Sequence, residues 1–549
     1  MQDDDAVQIF IGHVHSLYGA LMQFLILAPP IVIPTEPPSG PFILAAALRA
    51  RGIEAAMMDL SLAFFRRLLD RAPEGRGHPP VPKALEYFRS SEAGYDPHMH
   101  RTASGIVRSA VSRFARGFPE WRLSLMDSTP PCDPHSPGDL AKLFAGAAET
   151  PFTGLWEEEL DPVLDQLRPR EVLVSISYLS QLPAAVDLQR HLAARGIRPM
   201  VGGSLPRSLE MSGEGLELLA GVFPGLTLDD GSELAGGGDP LLSRLTWPLN
   251  AGPEPDYFTA RPVIPFTLST GCWWDRCLFC PDRGRDHLTL APEVLEGFIA
   301  SIPGSVMDRR PLFHFLDSAI PPSALSALPG ILSGSGASWF GFVRPTDHLL
   351  RPESLIERLA ESGCTMLQTG VESGSGSILD RFQKGLDPST ALQVLRCSAE
   401  AGIRNYVYLL LGLPGETAED REMTRCLVDD AGDSLDFLNI SVFNLPRSSE
   451  LLSRAEEFGI VPGDFDAPSH AVRLYRPFTE GSGRDTRAEA RTFIHDRLNT
   501  DPVASAALTR TPRWFRGSHM ALMRLEDRRN PWERMIGEHT GGAVMPDHE

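Results

Sequence analysis

Val263-Ile-Pro-Phe-Thr-Leu-Ser-Thr270-Gly-Cys272-Trp-Trp-Asp-Arg-Cys277-Leu-Phe-Cys280-Pro281 joins an apolar run to a loop that carries three cysteines. The run reads as a buried strand over Val263–Thr270. In parallel α/β folds reactive groups collect in the loops at the carboxyl ends of strands, so thiols in this place read as a site. The chain has seven cysteines in 549 residues, and only these three cluster; Cys132, Cys364, Cys397 and Cys426 stand alone. That usage argues for a metal site in a reducing compartment and against a disulfide framework. Three thiolates on one short loop can hold three irons of a cubane iron–sulfur cluster and leave the fourth iron without a protein ligand. An open iron can bind and reduce a ligand, whereas a fully coordinated cluster only passes electrons. Zinc is the alternative, but it asks for four protein ligands, or three and a solvent position. No histidine lies in the loop; the next is His287.

Downstream, strand and helix patterns alternate. Strands read at Leu312–Asp317, Ser338–Arg344, Thr365–Glu372, Asn405–Leu413 and Phe437–Asn444, with helical runs such as Pro292–Ile302, Pro352–Ser362, Ala391–Ala401 and Ala418–Ala431. Six such units predict a parallel barrel-like sheet, and six being fewer than eight, an open or partial (β/α)6 barrel over residues 251–466. Residues 467–549 are Arg-rich and read as a mostly helical C-terminal domain, with Trp514 and Trp532 as core or lid aromatics.

Upstream, residues 1–250 read as a Rossmann-like α/β domain. Its strands are Leu21–Pro29, Glu54–Asp59, Glu171–Tyr178 and a fourth ending in Val201-Gly202-Gly203-Ser204, with helices Pro41–Arg51 and Pro183–Arg195 between them. About a hundred residues separate the second and third strands. That is far beyond an ordinary connection, so residues 62–160 form a helical insertion, either a subdomain or an ordered lid. Gly213–Leu249 ends this domain and links it to the barrel. The fold class is α/β throughout.

Hydrophobic residues make up 42% of the chain and charged ones 22%, a globular rather than a disordered composition. The formal charge of −20 disfavours nucleic acid and anionic membranes as partners. The most apolar early run, Phe24–Ile33, is short and broken by Pro29 and Pro30, and the Met-Gln-Asp-Asp-Asp start lacks the basic residues of a secretory signal; a cytoplasmic location is expected.

The cysteine loop and the order of the strand ends resemble the radical S-adenosylmethionine (SAM) superfamily. Family loops are Cys-x3-Cys-x2-Cys, and this one is Cys-x4-Cys-x2-Cys. The resemblance implies a [4Fe–4S] cluster on Cys272, Cys277 and Cys280, with Phe279 against the adenine of SAM. It places Asp317 and Ser318 near the SAM amino end, and Arg344 at the end of the third strand. Gly370-Val-Glu372-Ser373-Gly374-Ser375 would handle the SAM carboxylate and ribose. Leu413, in Leu411-Gly-Leu-Pro-Gly-Glu-Thr417, would lie on the adenine side. The likeness covers Val263–Pro446.

The first domain resembles the cobalamin-binding domain that precedes many radical SAM barrels. The matching pieces are Ser39 and Gly40, then Ser177, Tyr178, Leu179 and Gln181, then Gly202, Gly203 and Ser204, where small residues would let a corrin and its nucleotide tail approach the backbone. The alternative is a nucleotide-binding or structural domain. Asp133-Pro-His135-Ser-Pro-Gly138 spells the motif by which some cobalamin proteins ligate cobalt. It lies in the insertion, however, and reads as a turn before a helix near Gly138, so no lower histidine ligand is expected from this domain.

Together the resemblances imply cobalamin-dependent methylation of an unactivated carbon (or phosphorus) of a small molecule or natural-product precursor. An external electron donor such as flavodoxin or ferredoxin would be needed. A radical rearrangement, ring contraction or cyclisation with an idle corrinoid domain is an alternative, as is a noncatalytic iron–sulfur electron-transfer protein. With no cysteine group outside the loop, a single cluster is expected.

Overall fold

The computed structural model describes residues 22–511 apart from 73–79, 91–96, 147–148, 213–214, 237–239, 249–256, 351–354 and 465–471. Phe24–Ala28 forms β1, and all five of its residues are buried. Such a strand needs cover on both faces, which a parallel sheet with helices on either side supplies. Helix α1 (Ser39–Arg49) follows, and Gly52, at φ 75°, turns the chain into β2 (Ala55–Asp59). Asp59 ends that strand and caps α2 (Leu60–Arg71), its Oδ1 accepting the N–H groups of Ser61 at 2.9 Å and Leu62 at 3.1 Å.

Helices α3 (Val81–Arg89), α4 (Pro97–Ala115) and α5 (Pro137–Gly146) fill the expected insertion, and α6 (Asp161–Leu167) follows it. Its aromatics Phe88, Phe144, Phe152 and Trp156 share one buried cluster with Phe64, Leu25 and Leu27. The insertion is therefore a packed layer on one face of the first sheet, and the lid reading is corrected. His135 sits in a tight turn, its N–H donating to Asp133 Oδ1 at 2.9 Å, and α5 begins there as the prolines suggested. After the insertion come β3 (Glu171–Ser175), α7 (Leu182–Ala194), β4 (Met200–Gly202) and α8 (Ser204–Ser212). The sheet is parallel in the order β2-β1-β3-β4, and Leu226 adds a parallel bridge to Val201 that the sequence pattern did not suggest.

The second sheet contains β5 (Val263–Phe266). The chain then leaves it for a small hairpin, β6 (Ser269–Thr270) with β7 (Leu288–Thr289), and returns through α9 (Pro292–Ala300) to β8 (Leu312–Phe315). Helix α10 (Pro322–Leu332), β9 (Ser338–Val343), α11 (Leu355–Glu361), β10 (Cys364–Glu372), α12 (Gly376–Arg381), α13 (Pro388–Glu400), β11 (Arg404–Leu411), α14 (Ala418–Ala431) and β12 (Phe437–Val442) complete the alternation. Six parallel strands stand in the order β12-β11-β10-β9-β8-β5, an open (β/α)6 sheet. The expected strand Val263–Thr270 is thus broken in two. Asp317 causes the break: its carboxylate accepts the Leu268 N–H at 3.0 Å and the Ser269 hydroxyl at 2.6 Å. The start of the expected helix Pro352–Ser362 lies outside the described residues, as do Leu21, Trp514 and Trp532.

The C-terminal part is mostly helical, as expected, with one short extended stretch. Residues 475–480 are extended: β15 (Tyr475–Arg476) pairs with β13 (Leu445–Pro446), and β16 (Phe478–Glu480) pairs with β14 (Ile460–Pro462). After α15 (Glu450–Ser453) and these strands, α16 (Thr486–Phe493) and α17 (Pro502–Arg510) pack Ala490, Ala504 and Ala507 against Leu409, Leu411 and Leu438. They serve as the helix layer of the last barrel strand.

The two sheets share one core across the expected domain boundary. Phe42 of α1 meets Trp247 edge-on at 5.6 Å and Phe298 of α9 at 6.3 Å, and one cluster runs from Phe24 and Ile26 to Phe266 and Trp339. Asp59 adds a polar tie, accepting the Tyr257 hydroxyl at 2.9 Å, and burial pushes its carboxyl up to about 6 from 3.8. The folded chain therefore keeps a proton that the unfolded chain releases, and stability falls as pH rises from about 4 to about 6. Asp59→Asn, which keeps a cap acceptor, should gain on the wild type across that window in melts at successive pH values. A constant difference would sink this assignment.

Candidate active site

The cysteine loop is shaped by its neighbours. Gly271, at φ 64°, comes so near the hairpin that a Cβ would stand 2.6 Å from the Asp286 carbonyl oxygen. Asp275 adopts φ 45°, and its Oδ1 accepts the Gly284 N–H at 2.7 Å. Leu278, fully buried with Phe382, Leu413 and Phe443, donates its N–H to the Phe382 carbonyl at 3.1 Å and accepts from Leu451 at 2.9 Å. Trp274 is the outer clamp. Its Nε1–H donates to the Gln383 carbonyl at 3.0 Å, and its ring fills the space beside Gly385. A Cβ on Gly385, which sits at φ 62°, would lie 1.9 Å from that ring. Gly385→Ala should therefore push Trp274 and the loop outward. The expected result is a several-fold loss of iron incorporated on anaerobic reconstitution, and unchanged loading would refute the clamp.

Cys272, Cys277 and Cys280 are all half-buried, and the Cys280 N–H donates to the Cys277 carbonyl at 3.2 Å. Cations surround them. Arg344 is 7% exposed, lies over the Trp274 ring at 4.3 Å, and donates to the Lys384 and Gly385 carbonyls. Lys384 pairs with Glu372 at 2.7 Å and stands 6.0 Å from the centre of the Phe279 ring. Burial pushes the Cys277 thiol up, while Lys384 and Arg344 pull it down; burial pushes Cys280 up to about 12. Positive neighbours of this kind favour thiolates once a metal takes their protons. Among the described residues no three His, Cys, Asp or Glu side chains gather on a single-ion site. A cubane does not ask for that, because each thiolate takes a different iron. Three thiols on one loop beside two cations fit such a cluster.

The other residues singled out from the strand ends divide into two groups. Arg344, Glu372 and Phe279 stand together around the cysteines, and Ser318 is exposed at the end of β8. Glu372 adopts φ 66° at a bulge between β10 and β11, a strained backbone of the kind held at functional sites. Asp317, Ser373 and Leu413 are corrected to supporting positions. Asp317 is 3% exposed and holds β6; Ser373 is fully buried with its hydroxyl on Thr424 at 3.1 Å and the Ser375 N–H at 3.1 Å; Leu413 packs under Leu278. Gly374 explains why Ser373 turns inward, since its backbone lies so close to α14 that a Cβ would be 2.4 Å from the Met423 oxygen. The sequence reading missed Glu416, whose carboxylate accepts the Gly412 N–H at 2.7 Å and fixes the loop after β11. It also missed Lys384, the partner of Glu372. The unlikely sight of an acidic residue behind Leu-Pro-Gly was the available signal for Glu416.

In the first domain a cleft of about 200 Å³ opens between α1 and the ends of β3 and β4, lined among others by Gly40, Gly202, Gly203, Ser204 and Arg207. Gly203, at φ 112°, passes so near β3 that a Cβ would be 2.5 Å from the Ile176 oxygen. Ser39 is half-buried at the start of α1, and Leu179 packs on the core. Tyr178 projects outward, 57% exposed. Gln181 is a strut: its Oε1 accepts the N–H groups of Ser177 at 2.8 Å and Tyr178 at 3.0 Å, and its Nε2 donates to the Pro29 carbonyl at 2.8 Å. At 2% exposure it positions the loop instead of lining the cleft.

Residues 342–427, from the end of β9 into α14, match the family model of the radical SAM superfamily. The two-sheet fold is shared with solved cobalamin-dependent radical SAM proteins. The cobalamin-dependent S-adenosylmethionine radical enzyme OxsB aligns with a TM-score of 0.54 and 12% identity over 86% of this chain and 67% of its own. The radical S-adenosylmethionine methyltransferase TsrM from Kitasatospora setae aligns at 0.50 with 15% identity over 92% and 99%. A curated relative, an uncharacterised methyltransferase (PH0819) of Pyrococcus horikoshii, is 29% identical over 72 residues; the match spans 13% of this chain and 16% of that protein. Among the described residues no helix is long and apolar enough to cross a membrane.

Proposed function

We propose that this chain is a radical SAM enzyme that uses a [4Fe–4S] cluster on Cys272, Cys277 and Cys280 and a corrinoid in the first domain to methylate an unactivated carbon of a small molecule. The carrying observation is the three-thiol loop at the carboxyl end of the first barrel strand, ringed by Arg344 and Lys384. When bound, the cluster supplies the electron that cleaves SAM, and the corrinoid carries the methyl group. The chain's own residues bind and orient. Lys384 holds Glu372 toward the cysteine side of the sheet, where its carboxylate can accept from an amine or a ribose hydroxyl. Phe279 offers a ring face to a base. Arg344 balances the charge of the thiolates. OxsB and TsrM, proteins of the same fold solved with cobalamin bound, support the corrinoid assignment, as does the cleft beside Gly40 and Gly202.

The test is anaerobic incubation with SAM, hydroxocobalamin and a low-potential reductant. Corrinoid absorbance retained by the protein, 5′-deoxyadenosine and matching S-adenosylhomocysteine are the expected results. Release of 5′-deoxyadenosine without S-adenosylhomocysteine would replace methylation by another radical reaction, and release of neither would overturn the reading.

A further inference from the structure

Two adjacent indoles of the cysteine loop are treated differently by the fold. Trp274 donates its N–H to the Gln383 carbonyl. Trp273, whose ring centre is 6.2 Å away at 80°, has its Nε1 buried, and among the described residues nothing accepts from it. The Nε of Arg344 is likewise buried without an acceptor, and the guanidinium lies 5.6 Å from the Trp273 ring centre. Buried donors without partners are rare in native proteins, and each calls for an acceptor that is missing from the chain itself. Trp273 directly follows Cys272, and Arg344 lies over the rings of Trp273 and Trp274, beside the same cysteine loop. The acceptors that loading brings to that loop are sulfurs of the cluster.

We propose that the Trp273 indole N–H, together with the Arg344 Nε–H, donates to sulfur of the bound cluster and raises its reduction potential. The inference rests on the cluster assignment above. Hydrogen bonds to cluster sulfurs are one of the protein's levers on potential. A donor to a sulfur favours the reduced cluster because that state carries one more negative charge, and charge strengthens the bond. Neither donor needs to move a proton; both act as positioning residues through the cluster.

Trp273→Phe keeps a ring and removes the donor. After anaerobic reconstitution and without SAM, its midpoint potential should fall, with the one-electron reduction equilibrium weakened about tenfold, equivalent to about 59 mV. Wild-type protein carrying 15N-labelled indole gives a second readout that needs no variant to fold: pulsed EPR of the reduced cluster should show a coupled indole nitrogen. Equal potentials for wild type and Trp273→Phe, or no coupled nitrogen, overturn the proposal. A shift that appears only with SAM also overturns it, by assigning the acceptor to the SAM carboxylate. Wild-type protein that takes up no cluster instead overturns the cluster assignment itself, which separates the two failures.

Discussion

Alanine at Cys272, Cys277 and Cys280 together is expected to abolish iron uptake and SAM cleavage while the fold persists. The loop is not held by its thiols. Its path is fixed by the β6–β7 hairpin, by Asp275 on Gly284, by Leu278 in a fully buried cluster, and by Trp274 against Gly385. The three cysteines are half-buried, so truncation costs about 1 kcal/mol each or less. Thermal melts of the apo forms should nearly coincide, whereas iron and sulfide should fall from a full cluster to none. 5′-Deoxyadenosine should drop to the level seen without protein. A triple variant that retains activity, or wild-type protein that purifies with zinc, would refute the assignment.

Glu416→Ala should cost about 1–3 kcal/mol of stability, because it leaves the buried Gly412 N–H without its acceptor. Glu416 is 0% exposed, and Arg421, its partner at 3.5 Å, is 4% exposed. The other arm of Arg421 reaches Glu489 of α16 at 2.8 Å, and Arg484 contacts both Glu489 and the Glu416 carbonyl. The chain of charges joins the loop after β11 to the C-terminal helices, so the same substitution should weaken SAM binding by loosening Leu413 and Gly415. Glu416→Gln keeps an acceptor for the Gly412 N–H and should cost less. Its pH dependence has a definite sign. Burial pushes the Glu416 carboxyl up to about 7 from 4.5, so the folded chain binds more protons than the unfolded one in between. Stability from this site therefore declines as pH rises from about 4.5 to 7, and Glu416→Gln should gain on the wild type over that range. Denaturant melts at pH 5 and pH 8 decide it; a difference that stays constant would show the carboxylate ionised throughout.

The barrel was readable in the chain because its strands are short apolar runs between helices of ordinary length, and each expected strand is present within a few residues. The cysteine loop was readable because its chemistry is local. Positions set by distant contacts were not. Asp317 and Ser373 carry polar side chains at strand ends, which in sequence look like ligand contacts. Only the fold reveals that Asp317 is spent on Leu268 and Ser269, and that Gly374 drives Ser373 into α14. The extended stretch at 475–480 escaped because its strands are two and three residues long and pair with equally short partners. The cut at 250 followed the linker composition, while packing ignores it.

That shared packing limits what the first domain can lose. Phe42, Ala45 and Leu48 supply part of the wall on which Phe298 and the outer face of β5 and β8 rest. Excising residues 1–250 would strip a greasy flank from the barrel and leave it prone to aggregate. The first domain is thus structural cover for the barrel as well as the proposed seat of the corrinoid.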